Sequence, residues 1–158
     1  MNKELLENCD SKIKSFSLEN NIYECKVVSV YDGDSCKVVF PLNGNLYKWN
    51  VRMDGYDTPE MRPKRNNPHR EAEKAAAIES RDFLKSLIMS SDKQLVFIKC
   101  GKFDKYGRLL GTIFLGKEDI EDVDDKGDTK KLSVNETMII EGYGYAYDGG
   151  TKKKFTVS

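Results

Sequence analysis

The sequence has little that could bind zinc. It contains one histidine, His69, and its four cysteines (Cys9, Cys25, Cys36 and Cys100) nowhere show the Cys-x-x-Cys spacing. Structural zinc sites draw four Cys or His ligands from closely spaced pairs, so a zinc site is excluded. Cys25 and Cys36 fall within apolar strand-like runs, where buried free thiols are expected.

An excess of one charge and a long apolar run are also missing. Lys plus Arg equals Asp plus Glu at 26 each, so no global basic field attracts a polyanion and any such binding must be local. Residues 1–20 are polar and interrupted by charge, which excludes a signal peptide or a membrane span there. The expected location is intracellular, with reduced thiols and no membrane partner.

The length of 158 residues, with 39% apolar and 33% charged residues, is typical of one globular domain. We predict an N-terminal extension at 1–20, a domain at 21–147 and a basic C-terminal tail at 148–158. The extension is expected to be a short helix or a loosely docked arm. We expect the protein to be a monomer.

The first half of the domain predicts three antiparallel strands. An Asp-Gly pair at 32–33 separates two β-branched and aromatic runs, Ile22–Val30 and Ser35–Phe40, as in a hairpin. Leu46–Met53 is a third strand, in which apolar and polar residues alternate. This alternation places Arg52 on the face away from the core, at the end of its strand.

Helix signals follow. Asn67 with Pro68 predicts a helix start, and apolar residues at spacings of three and four continue for about 20 residues. A second, short helix is predicted where Ser133–Glu136 form a capping box, and Gly142 should end it.

Two further strands, Leu95–Ile98 and Leu109–Leu115, complete the predicted order β-β-β-α-β-β-α. Five short strands around one long helix are too few for a sandwich and fit a small closed barrel, the OB-fold. The predicted class is therefore mainly β with helices, α+β.

Acidic and arginine residues cluster at the predicted strand ends and turns. Asp34 leaves the first hairpin turn, Asp57 and Glu60 follow the third strand, and Arg108 opens the fifth. If the barrel closes, these side chains can converge on one mouth. Carboxylate and carbonyl oxygens suit a hard cation, and the planar guanidinium of arginine binds phosphate bidentately.

Four motifs carry a family resemblance in order and spacing, from about Tyr23 to Tyr147. They are Asp32-Gly33-Asp34, Arg52 with Asp57-Thr58-Pro59-Glu60, Asp104-Lys105-Tyr106-Gly107-Arg108, and Val134-Asn135-Glu136. Together they resemble the thermonuclease (staphylococcal nuclease) family.

The resemblance implies an OB-fold endonuclease that hydrolyses phosphodiester bonds of DNA and RNA with one calcium ion and leaves 3'-phosphate ends. It implies that Asp34 and Asp57 ligate the metal through side chains and Thr58 through its carbonyl. It further implies that Glu60 holds the attacking water and that Arg52 and Arg108 grip the phosphate. Because the net charge is zero, local cations would carry the salt-dependent attraction: Lys64, Arg65, Arg70 and Lys152 to Lys154.

Tyrosines are candidates for contact with substrate. Tyr106, next to Lys105, can stack on a base, and packing is the alternative. Tyr143, Tyr145 and Tyr147 either line the same groove or cover the bottom of the barrel.

The stretch from Glu118 to Asp128 is expected to be a solvated loop inserted relative to compact family members. It lacks the spacing of an EF-hand calcium loop. The alternative function is a non-catalytic OB-fold module that binds nucleic acid or protein. Loss of acidic or arginine positions would favour that alternative, and this sequence retains all of them.

Overall fold

The computed structural model describes residues 2–90, 92–121, 131–151 and 154–156. Most of the acidic stretch, at 122–128, and two cations of the predicted basic tail, Lys152 and Lys153, lie outside these residues.

The strands form a closed barrel in the order β1-β2-β3-β6-β5, with β4 and β7 paired separately. The strands are β1 Ile22–Asp32, β2 Ser35–Leu42, β3 Asn45–Met53, β4 Tyr56–Asp57, β5 Leu95–Phe103, β6 Leu109–Phe114 and β7 Tyr145–Ala146. The helices are α1 Lys3–Asn8, α2 Arg70–Ile88, α3 Lys117–Glu121 and α4 Val134–Ile140, and a 3-10 turn covers Asp92–Gln94. The predicted five-stranded OB-fold and α+β class are confirmed.

The first three strands form the predicted antiparallel meander. Cys36, Val38 and Phe40 share one buried face of β2 and enter the barrel core, as their alternation predicts. Register shifts interrupt the pairing of β1 with β2 on either side of Ser29, and these increase the local twist just before the turn at Asp32.

Strand β3 follows its predicted alternation only at its end. Val51 and Met53 are in the barrel core, whereas Leu46 is exposed. Arg52 lies on the face away from that core, as predicted, but it is nevertheless buried, because the turn after β3 and the loop before β2 cover it.

Helix α2 begins three residues later than Asn67 predicts. The Asn67 side chain accepts from the backbone N–H of His69 at 2.8 Å, and the Asn67 carbonyl accepts from Arg70 N–H at 3.2 Å. These bonds close a separate turn, and the helix proper starts at Arg70. Its buried face, with Ala77, Leu84 and Ile88 at helical spacing, packs on the barrel side.

Helix α4 has the predicted capping box, in which Ser133 and Glu136 bond reciprocally, and the chain leaves it through Gly142 at φ 82°. Helix α3 corrects the expectation of a loop throughout the acidic stretch. Asp119 Oδ2 accepts from the backbone N–H of Gly116 at 3.2 Å, which holds the start of this five-residue helix.

The N-terminal extension contains the short helix α1, one of the two predicted alternatives, and none of its residues is buried. In the parts of the chain that are described, no helix is both long and apolar enough to cross a membrane.

Candidate active site

The turn between β1 and β2 positions Asp34. A Cβ at Gly33 would lie 2.7 Å from the Cβ of Ser80 in α2 and 2.9 Å from Cγ2 of Thr58, so only glycine allows this close approach. Asp32 Oδ1 accepts from Asp34 N–H at 3.1 Å and from the Ser35 hydroxyl at 2.6 Å. Asp34 is therefore held against α2 and the loop after β4.

Arg52 joins this turn to the end of β3. Its Nη1 donates to the carbonyls of Met53 and Tyr56, both at 3.0 Å, and lies 3.2 Å from Oδ2 of Asp34. Its Nη2 lies 3.4 Å from Oδ1 of Asp57. The guanidinium is thus fixed between two carboxylates, with the residue only 8% exposed.

Asp57 and Thr58 follow directly from the short strand β4. Asp57 is 1% exposed, and its Oδ1 also accepts from Thr58 N–H at 2.9 Å. Tyr145 in the paired strand β7 places its hydroxyl 3.5 Å from Asp57 Oδ2. Tyr145 therefore lines the candidate site, which resolves one of the alternatives left open by the sequence.

Negative charge is concentrated at this site. Burial raises the pKa of the Asp34 carboxyl to about 9, and the neighbouring carboxyls of Asp32 and Asp57 add to the rise, while Arg52 opposes it. Burial likewise raises the pKa of Tyr145, followed in effect by the charges of four carboxylates, Asp57, Glu60, Glu73 and Asp34. These carboxylates all act on one hydroxyl, so they surround a common region.

Glu60 lies at the mouth of the site. It is exposed, and it lines a cavity of about 1130 Å³ together with Arg62 and Tyr145. Its backbone N–H donates to Oε1 of Glu73 at 3.2 Å, and the other oxygen of Glu73 accepts from Asn67 Nδ2 at 2.8 Å. Glu73 therefore joins both ends of the 60–67 loop to helix α2.

The loop between β5 and β6 carries the remaining predicted residues. Asp104 Oδ2 accepts from Nε of Arg108 at 2.8 Å, so Arg108 is paired within its own turn. The Tyr106 ring is 72% exposed and lies 5.2 Å from Lys105 Nζ and 5.5 Å from the Arg108 guanidinium carbon. An exposed aromatic ring is therefore flanked by two cations.

Sheet register relates Arg108 to Arg52. Strand β6 runs parallel to β3 with Leu109 opposite Val51, and both of these residues face the core. Arg108 therefore shares the outer face with Arg52, one strand away and two residues back, which corresponds to roughly 8 Å between Cα atoms. The structure brings Asp34, Arg52 and Asp57 into contact, and Arg108 lies beside them without contacting the two carboxylates.

The donor set suits a hard cation. In the described ranges, with their gaps, no three His, Cys, Asp or Glu side chains form a metal-binding group by themselves. Asp34 and Asp57 with the Thr58 carbonyl offer oxygen ligands only, and a cation among them would relieve the repulsion that raises the pKa of Asp34. These residues therefore fit calcium, with water and substrate oxygens completing its shell.

Sequence reasoning missed Glu73, which it used only as a helix-start charge. Its carboxylate is 6% exposed, and an acidic residue that is buried in the first turn of a helix leaves no periodic signal. The motif around Asn135 was noticed without a structural reason. Asn135 Oδ1 accepts from Ile113 N–H at 3.0 Å, and its Nδ2 donates to the carbonyls of Asp54 and Gly111 at 2.8 and 3.0 Å.

Comparisons with known proteins agree with this geometry. Residues 50–156 match the model of the family described as staphylococcal nuclease homologue. Arg52, Asp57, Glu60 and Arg108 fall in that range, and Asp34 precedes it.

Three curated relatives are similar to the chain. A thermonuclease of Staphylococcus hyicus is 38% identical over 66% of this chain and 57% of its own length. An uncharacterised protein of Methanocaldococcus jannaschii is 30% identical over 84% and 63%, and a prophage-derived endonuclease of Bacillus subtilis is 35% identical over 77% and 34%. The chain thus spans less than two thirds of the length of each.

The matched range begins at the end of β3 and includes both arginines, Asp57 and α4, so it covers most of the barrel and the candidate site. Because the match extends over more than half of the sequence and agrees with the observed fold, the chain belongs to the staphylococcal nuclease homologue family.

Proposed function

We propose that the protein is a calcium-dependent nuclease that hydrolyses phosphodiester bonds of both DNA and RNA and leaves 3'-phosphate ends. The observation that carries the proposal is the guanidinium of Arg52, held between Asp34 and Asp57 at the rim of an OB barrel. The names of two relatives, a thermonuclease and an endonuclease, support the same activity.

Asp34, Asp57 and the Thr58 carbonyl would hold the calcium ion. When bound, the ion supplies polarisation of the phosphoryl group and orientation of a water molecule. Burial of Asp57 and Thr58 keeps these ligands in place before substrate arrives.

The arginines would bind the phosphate oxygens of the substrate. Nη1 of Arg52 is occupied by two carbonyls and Asp34, so Nε and Nη2 remain to face a phosphate. Arg108 can turn from Asp104 to the substrate, because its side chain is 37% exposed. Removing one comparable donor from a transition state costs about 2.7 to 4 kcal/mol.

Glu60 would accept the proton of the attacking water. The water oxygen bonds to phosphorus, the bond from phosphorus to the 5' oxygen breaks, and that oxygen leaves as a protonated hydroxyl. Such proton transfer typically contributes about a hundred- to ten-thousand-fold in rate. The bond from Glu60 N–H to Glu73 fixes the backbone from which this carboxylate extends.

Tyr106 and Lys105 would contact the substrate beside the reacting phosphate. The exposed ring can stack on a base, a contact that is worth about 1 to 3 kcal/mol.

The test is degradation of plasmid DNA and of RNA by the pure protein with calcium, with a chelator, and in the Glu60→Gln variant. We expect both polymers to be cut with calcium, with products that lose terminal phosphate on treatment with a 3'-phosphatase. Binding of either polymer without cleavage, over a range of calcium concentrations and alkaline pH, would instead identify a non-catalytic module.

A further inference from the structure

Helix α2 carries a segregated stripe of positive charge. Arg70, Lys74, Arg81 and Lys85 all fall within an arc of about 60° when consecutive residues are separated by about 100°. The acidic residues of the same helix lie elsewhere: Glu73 is buried toward Asn67, and Glu79 is on the opposite side of the helix from Arg70. The chain as a whole has no net charge, so this segregation produces a local field.

These four cations, together with Arg62 and Tyr31, line a groove of about 760 Å³ that we call the basic groove. Five cations and one anion, Asp82, give its lining a net charge of +4. Two of the arginines form exposed ion pairs with adjacent acids, Arg70 with Glu71 at 3.3 Å and Arg81 with Asp82 at 3.0 Å. Exposed pairs of this kind are weak and yield readily to a stronger anion.

The basic groove joins the candidate active site. Arg62 lines both the groove and the cavity that contains Glu60 and Tyr145, and Met61 links Glu60 to Arg62 in the chain. From Arg70 to Lys85 the helix extends roughly 22 Å, at about 1.5 Å per residue. This length is comparable with strand sites of about four nucleotides or more on OB-folds.

Tyr31 supplies an apolar surface in the same groove. Its ring is 60% exposed on β1, opposite the cations of α2. A positive groove with an exposed aromatic ring is the combination that binds single strands without sequence preference, through phosphates and stacked bases.

We propose that the basic groove binds the sugar-phosphate backbone of a nucleic acid strand that extends away from the scissile phosphate. This assignment rests on the proposed nuclease function, which it deepens by adding a second substrate-binding surface. It favours long single strands over short ones, since only a long strand reaches from Glu60 to Lys85.

The first test is binding of a fluorescein-labelled single-stranded 20-mer DNA, measured by anisotropy in chelator across salt concentrations. The variant is Lys74→Gln with Lys85→Gln, at two exposed helix positions where glutamine is a good helix former. The control is Lys12→Gln with Lys14→Gln, which makes the same charge change on the exposed N-terminal extension.

We expect the groove variant to bind about five- to tenfold more weakly at low salt. The slope of log affinity against log salt should decrease in magnitude by about 1.4, because each phosphate that a lysine no longer neutralises lowers it by about 0.7. Tyr31→Ala should weaken binding with an unchanged salt slope. Equal affinity and slope in the groove variant and the wild type, or an equally large weakening in the control, would overturn the assignment.

The second test compares kcat/KM on the 20-mer with kcat/KM on a dinucleotide. The ratio should fall about fivefold in the groove variant, and an unchanged ratio would contradict the proposal. Because binding is measured in chelator, it reports on the groove even if the protein cleaves nothing. Failure of the groove and failure of the nuclease are therefore separate results.

Discussion

Replacement of Arg52 by alanine tests whether the site depends on a buried charge pair. The guanidinium is 8% exposed and faces Asp57, which is 1% exposed. Breaking a buried pair by removing one partner costs about 3 to 5 kcal/mol, because the remaining charge stays buried. The carbonyls of Met53 and Tyr56 are also deprived of their charged donor. We expect Arg52→Ala to lower the free energy of unfolding by this amount.

A double-mutant cycle with Asp57→Asn isolates the charge. Asparagine keeps an oxygen that can accept from Thr58 N–H and removes the negative charge. If the cost arises from the uncompensated carboxylate, the double variant should be more stable than additivity predicts by about 1 to 3 kcal/mol.

The assay is urea unfolding in chelator, followed by the fluorescence of Trp49, the one tryptophan in the sequence. Arg81→Ala is the matched control, since it removes an exposed pair with Asp82 that is worth about 0 to 1 kcal/mol. A destabilisation below about 1 kcal/mol in Arg52→Ala, or additivity in the cycle, would refute the buried-pair interpretation.

Three further predictions concern other parts of the structure. Glu73→Ala should lower kcat about tenfold by releasing Glu60, and Glu73→Gln, which keeps an acceptor, should restore most of it; equal kcat values in the two variants would refute this positioning role. Asn135→Ala removes three hydrogen bonds to the backbone and should cost about 3 kcal/mol in urea unfolding, at about 1 kcal/mol each. Burial raises the pKa of Cys25 to about 12 and that of Cys100 to about 11, whereas Cys9 is exposed. A thiol reagent at pH 8 should therefore label one cysteine quickly and the other three only on unfolding, and a second fast thiol would contradict this.

The strands could be predicted because barrel strands carry local signals. Alternation along Cys36, Val38 and Phe40 identifies a core face without reference to the rest of the chain. The Asp-Gly turn that precedes them is equally local, so the position of Asp34 next to that turn follows from the sequence.

The environment of Arg52 could not be predicted in the same way. Alternation correctly placed it away from the barrel core, but its burial depends on Asp34, which is 18 positions earlier in the sequence, and on the turn at Tyr56. Glu73 illustrates the same limit, because only the folded path of the 60–67 loop brings Glu60 and Asn67 to its carboxylate. Long-range packing that converts a surface residue into a buried one leaves no periodic pattern.

The start of α2 failed for a local reason. Asn67 followed by proline suits a helix start, but its side chain accepts from His69 and closes a turn instead. Asparagine is favoured in both roles, so the sequence alone does not separate them.

The central claim is that Asp34 and Asp57 hold a calcium ion that is needed for cleavage of nucleic acid. It is tested most directly by cleavage of a labelled single-stranded DNA by wild type and Asp57→Asn, each with calcium and with excess chelator. We predict cleavage only by wild type with calcium, and a decrease of at least about a hundredfold in the variant. Equal cleavage by the two proteins, or cleavage by wild type in excess chelator, would contradict the claim.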